Sequence, residues 1–101
     1  MKVKAVAQNN VVSVKILIQH PMETGRRKDE GGNLVPAHYI TEVTAQHNGE
    51  TVFHAEIGPG ISKDPYLSFQ FDGAKAGESL KISWVDSKGG SETSDTIISA
   101  M

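Results

Sequence analysis

The side chains able to do chemistry are few. Histidines stand at 20, 38, 47 and 54, and there is no cysteine. Without a thiol the chain can form no disulfide, no thiolate nucleophile and no thiolate metal site. The histidine spacings match no zinc signature. His38 and His54 fall in extended stretches whose neighbouring positions point to opposite faces, and His47 borders a turn. They read as ordinary polar surface histidines. Serines are numerous, but no Gly-x-Ser-x-Gly elbow joins a strand to a helix. Gly58-Pro59-Gly60 and Gly89-Gly90 are glycine-rich turns that open no helix, so they cradle no phosphate. Carboxylates are scattered, with no pair that sequence alone places in one site. The residues point to a binding or structural module rather than an enzyme, and assign it no catalytic residue, metal or cofactor.

One stretch organises the rest. In Ile16-Leu17-Ile18-Gln19-His20-Pro21 an apolar strand runs straight into a polar loop. Proline ends the ladder because it has no N–H, and it pushes the residue before it to extended backbone. Gly25 permits a sharp turn before the basic run Arg26, Arg27, Lys28, and no regular element resumes until about Ala37. A loop this long in a small domain is usually functional or disordered.

The chain has 101 residues, enough for one domain spanning 1–101. A formal net charge of −2 offers no broad phosphate-neutralising surface, which excludes a general nucleic-acid binder. No apolar run approaches the length of a membrane span. The N-terminus lacks the apolar stretch of a secretory signal, and Arg26-Arg27 is internal and followed by no apolar run, so it is no twin-arginine signal.

Alternation with a period of two marks the elements that must position these groups. It runs through residues 2–7, through Val11 to Ile18, and through His38 to His47. Asn48-Gly49 then predicts a tight hairpin, returning through Glu50 to Ile57. Further strands are expected with Leu67, Phe69 and Phe71 inward, and with Leu80, Ile82 and Trp84 inward. A last one covers Thr93 to Ser99. Seven short strands, turn signals between them and a core tryptophan predict an all-β, immunoglobulin-like antiparallel sandwich. An open Greek-key barrel is the alternative. A sandwich can also hold a histidine-ligated iron, as superoxide reductases do, which keeps a metal-dependent redox enzyme as a second functional class. That site needs a cysteine thiolate this chain lacks. A stand-alone module that binds another protein, or a homodimer, is the third.

Three segments carry a family resemblance: His20-Pro21-Met22-Glu23-Thr24-Gly25, Val35-Pro36-Ala37-His38-Tyr39-Ile40, and Ser62-Lys63-Asp64-Pro65-Tyr66-Leu67-Ser68-Phe69. With the Asn48-Gly49 turn, Trp84-Val85-Asp86 and the overall length, they resemble the SoxZ family across essentially the whole chain. The resemblance implies a non-catalytic, cysteine-free subunit of a heterodimer with SoxY. In that complex SoxY carries sulfur intermediates covalently on a cysteine in a flexible C-terminal arm during thiosulfate oxidation. It further implies a periplasmic location reached together with the partner, and transient contacts with other sulfur-oxidation enzymes.

Two surface expectations follow from the strand facings. If Tyr39, Val43 and Ala45 point inward, Ile40 points out; if Leu80, Ile82 and Trp84 point inward, Val85 points out. Ile40 and Val85 would then share an exposed apolar patch that binds the partner. Connections in such a sandwich alternate between its ends, so residues 20–36, 58–65 and 87–91 should meet at one end. His20, Met22, Arg26, Arg27 and Lys63 are expected there, facing the partner's arm or the enzymes that receive it.

Overall fold

In a computed structural model describing residues 1–101, the chain forms eight strands and no helix. They are β1 (Lys2–Gln8), β2 (Val11–Leu17), β3 (Ile40–His47), β4 (Glu50–Glu56), β5 (Tyr66–Asp72), β6 (Ser79–Asp86), β7 (Ser91–Ile97) and β8 (Ser99–Ala100). Two sheets face each other, ordered β5-β2-β1-β8 and β4-β3-β6-β7. All pairings are antiparallel except β1 with β8. This is the expected sandwich, with one change at its last strand. The run expected over Thr93 to Ser99 breaks at Ile98, which is buried and exchanges backbone hydrogen bonds with Gly77 and Glu78. The chain then crosses to the other sheet as β8.

Period-two alternation builds the core. Ala5, Val12, Val14, Ile16 and Ile18 from one sheet face Val43, Ala45, Leu80 and Ile82 from the other, all buried. Phe69 lies flat on Phe53 between the sheets, with ring centroids 4.1 Å apart. Asn48 and Gly49 both have positive φ (52° and 78°), the geometry a two-residue hairpin turn demands.

Ile40 departs from the expected facing. It is fully buried, because the pairing of β3 with β6 slips between Ile40 and Glu42. The extra residue of this bulge reverses the alternation, so Ile40 and Val43 point the same way. Val85 is 41% exposed as expected, but its cross-strand neighbour is Glu42, and Glu42 pairs onward with Glu56. The apolar patch expected from Ile40 and Val85 together does not exist.

The three long connections do meet at one end. Ile18 N–H donates to the Pro65 carbonyl, and His20 and Asp64 exchange two hydrogen bonds. Ser87 and Tyr39 exchange two more. The segment between β2 and β3 is pinned internally by single bridges, Glu23 with His38 and Lys28 with Leu34.

Candidate functional site

Where those connections meet, three groups that the sequence did not bring together converge: His20, His38 and Asp86. One ligand-type atom from each lies within 4.8 Å of the others. Asp86 ends β6 and extends the inward series Leu80, Ile82, Trp84 by one more step of two. Its carboxylate therefore enters the sandwich instead of solvent. Lys88 N–H (3.0 Å) and Gly90 N–H (2.7 Å) donate to its Oδ1, which forms the turn into β7. A Cβ on Gly90 would stand 2.7 Å from Asp86 Oδ2, so only glycine lets the backbone come this close.

The other oxygen, Oδ2, takes both histidines. His20 Nε2 lies at 3.0 Å and His38 Nε2 at 2.7 Å. An ionised carboxylate only accepts, so both rings present N–H at Nε2. Burial alone would push the Asp86 carboxyl up. The hydrogen bonds from His20, His38, Gly90 and Lys88 outweigh that and hold it well below the usual carboxylate range. The His20 ring packs edge-on against Trp84 (5.3 Å between centroids) and His38 (4.5 Å), which closes the site to water on the core side.

His20 is only 4% exposed, and its second nitrogen is also fixed. Met22 N–H donates to His20 Nδ1 at 3.1 Å, so Nδ1 keeps its lone pair. Met22 reaches this position with φ of +50°, a left-handed conformation costing an L-residue about 1 kcal/mol. It is buried, and its Sδ takes the Ile40 N–H at 3.4 Å.

These donors and acceptors decide what the cluster can do. A metal at His20 Nε2 needs a lone pair there, which moves the ring proton to Nδ1. That proton would point at the Met22 N–H, placing donor against donor. Two histidines and a carboxylate are a metal-ligand composition, but the hydrogen bonds around them do not fit a metal. They fit a pin in which one carboxylate ties the β2–β3 connection to the β6–β7 turn. The single ring nitrogen of the cluster without a protein partner is His38 Nδ1, on a side chain 28% exposed.

The expectation of surface histidines thus fails for His20 and for His47, which is 9% exposed, while His54 lies on the surface. His20 and Met22, expected to face an arm or enzyme, point into the molecule, because satisfying Asp86 and filling the core draws them in. Arg26 and Lys63 are exposed as expected, and neither forms an ion pair. Arg27 is exposed but engaged: its Nε and Nη2 donate to the Glu23 carboxylate at 2.8 to 3.1 Å. That pairing lowers the Glu23 carboxyl below its ordinary value. Asp86 has no role among the expectations from sequence, although the alternation through Leu80, Ile82 and Trp84 carries it inward.

The family model described as Sulphur oxidation protein SoxZ matches residues 1–96. No curated protein matches the chain.

Proposed function

Because the chain belongs to the SoxZ family, a subunit of sulfur-oxidation systems, we propose that it is the non-catalytic half of a SoxYZ-type sulfur carrier. In this reading it binds a SoxY-type subunit whose cysteine arm holds the covalent sulfur intermediates of thiosulfate oxidation, and it works in the periplasm. The observation that carries the reading is the family match over nearly the whole chain. The residues support it: with no cysteine, the chain has no thiol to form a persulfide or thiosulfonate. The test is intact-mass spectrometry after incubation with the complete sulfur-oxidising system and thiosulfate. Adducts should appear on the SoxY-type subunit only; a covalent sulfur adduct on this chain would defeat the reading.

The loop end is the surface proposed to meet the arm or the enzymes that receive it. Of the cations expected there, Arg26 and Lys63 are unpaired while Arg27 is held by Glu23, and Lys28 and Lys88 of the same connections are exposed and unpaired as well. Anionic sulfur groups or acidic enzyme surfaces would be drawn there. Arg26→Ala combined with Lys63→Ala should slow turnover of the assembled system several-fold at low salt and hardly at all at high salt, because screening removes steering. Wild-type turnover at every salt concentration would sink this role.

A further inference from the structure

The edge strands are β5 and β8 in one sheet and β4 and β7 in the other, and β5 alone is unguarded. An edge offers unpaired N–H and C=O groups to any other strand, and proteins blunt it with charge, proline, bulges or shortness. β4 carries Glu50 and Glu56 at its ends and pairs with β3 through a bulge between Ala45 and Gln46. β7 carries Glu92 and Asp95, and β8 has only two residues. β5 has none of these devices. It runs for seven residues, Tyr66–Asp72, with no lysine or proline and its one charge at the last position. Its register against β2 is unbroken from the Leu17–Tyr66 pair to the Val11–Asp72 pair.

The free backbone groups of this edge can be assigned. Ile18 N–H donates to the Pro65 carbonyl, so Pro65 turns its backbone toward β2. Backbone direction alternates along a strand, so Leu67, Phe69 and Phe71 also turn theirs toward β2. Tyr66, Ser68, Gln70 and Asp72 therefore present N–H and C=O outward. Side chains alternate as well. Leu67, Phe69 and Phe71 point into the sandwich, yet all three are only half-buried, because the sheet ends beside them. Phe69 stacks on Phe53 of β4, which ends the other sheet, so the open seam between the two sheets is aromatic.

We propose that the β5 edge joins a second copy of this chain, strand to strand and antiparallel about a two-fold axis at Phe69, fusing the two four-stranded sheets into one. The strand's own sequence selects this occupant. In that register Ser68 faces Gln70 of the second copy, and Tyr66 faces its Asp72. These are the residues with free backbone groups, so each such pair exchanges two hydrogen bonds. Leu67 faces Phe71 and Phe69 faces Phe69, so apolar meets apolar and the aromatic seam is closed. On the outer face the Ser–Gln and Tyr–Asp pairs can hydrogen-bond, and no like charges stand opposite each other. The same operation on β4, about Phe53, would set Glu50 against Glu56 at both ends. A two-fold contact uses up the edge of both copies, so assembly stops at the dimer.

Two double variants test both the contact and its register. Ser68 and Gln70 are exposed, so neither change touches the core. Ser68→Glu with Gln70→Glu sets carboxylate against carboxylate at both inner pairs of the dimer. Within the chain the first change places its carboxylate opposite Lys15 of β2, so the fold is not weakened. Ser68→Glu with Gln70→Lys sets opposite charges at the same two pairs. Sedimentation equilibrium of the purified chain should give twice the 10.9 kDa chain mass for wild type. The like-charge variant should dimerise about tenfold more weakly or worse, and the opposite-charge variant at least as well as wild type. Both should keep the wild-type far-ultraviolet circular dichroism. Wild type that stays monomeric up to about 1 mM overturns the proposal. A dimer that the like-charge variant leaves intact also overturns it, because the copies then meet elsewhere. Loss of the dimer in both variants overturns the register, and with it the proposal.

Discussion

The two ends of the sandwich each bury a histidine beside a carboxylate, and they differ in how that pair is held. At the loop end, Asp86 accepts four hydrogen bonds, two from backbone N–H groups and two from His20 and His38. At the hairpin end, His47 Nε2 lies 3.4 Å from Glu78 Oε1 without forming a hydrogen bond, and it is buried with no partner. Glu78 is partly exposed and spends the same oxygen on the Lys75 N–H, at 2.6 Å. That backbone donor, with smaller help from His47, lowers its carboxyl below the ordinary value. The residue types match. What differs is whether the backbone delivers enough donors to justify a buried charge. One end is a saturated network that ties two connections together; the other is a histidine tolerated at the rim of the core.

The strongest way to break this contrast is Asp86→Ala. It strands two ring N–H groups and two backbone N–H groups in a site with little water. Losing one partner of a buried charged network costs roughly 3–5 kcal/mol. That is a large share of the total stability of about 5–15 kcal/mol expected for a domain. A urea denaturation midpoint within error of wild type would show that the pin holds nothing. The acid limb sharpens the same point. The folded Asp86 carboxyl lies below its unfolded counterpart, so its contribution is complete above the ordinary carboxylate value of about 4. It is lost as pH falls toward the folded value. The stability gap between wild type and Asp86→Ala should therefore narrow steadily as pH drops below that ordinary value. A gap independent of pH would mean the carboxylate's charge plays no part.

The loop end was the less legible of the two in the sequence. Strand facings, the Asn48-Gly49 hairpin and the shared end of the long connections all follow from local rules, and the fold obeys them. The exceptions have physical causes. A bulge beside Thr41 reverses the facing of Ile40, and nothing in the alternation of Val43 and Ala45 announces it. Met22 sits in a loop and adopts a positive φ, so neither its burial nor its hydrogen bond to His20 follows from a strand or helix pattern. His20 and His38 are far from Asp86 in sequence, separated by 66 and 48 residues, and only the tertiary fold brings them together. Asp86 was different. Its place after Leu80, Ile82 and Trp84 predicted an inward carboxylate, and an inward carboxylate demands donors.

The smallest effect tests the hairpin end. His47 is nearly buried, and its ring lies tilted against Phe71, 6.1 Å between centroids. Its Nε2 brings a desolvation cost without a hydrogen bond in return. His47→Phe removes that polar atom, keeps much of the ring's shape and strengthens contact with an aromatic neighbour. The attraction it forfeits is to a carboxylate that is partly exposed and screened. The variant should lie within about 0.5 kcal/mol of wild type, or slightly above it in urea denaturation. The same exchange at His20 should be costly, because it removes a donor from Asp86 and an acceptor from Met22. If His47→Phe instead loses about 2 kcal/mol or more, Nε2 is engaged after all, by Glu78 or by an ordered water. The two ends would then be alike in kind, differing only in the number of bonds.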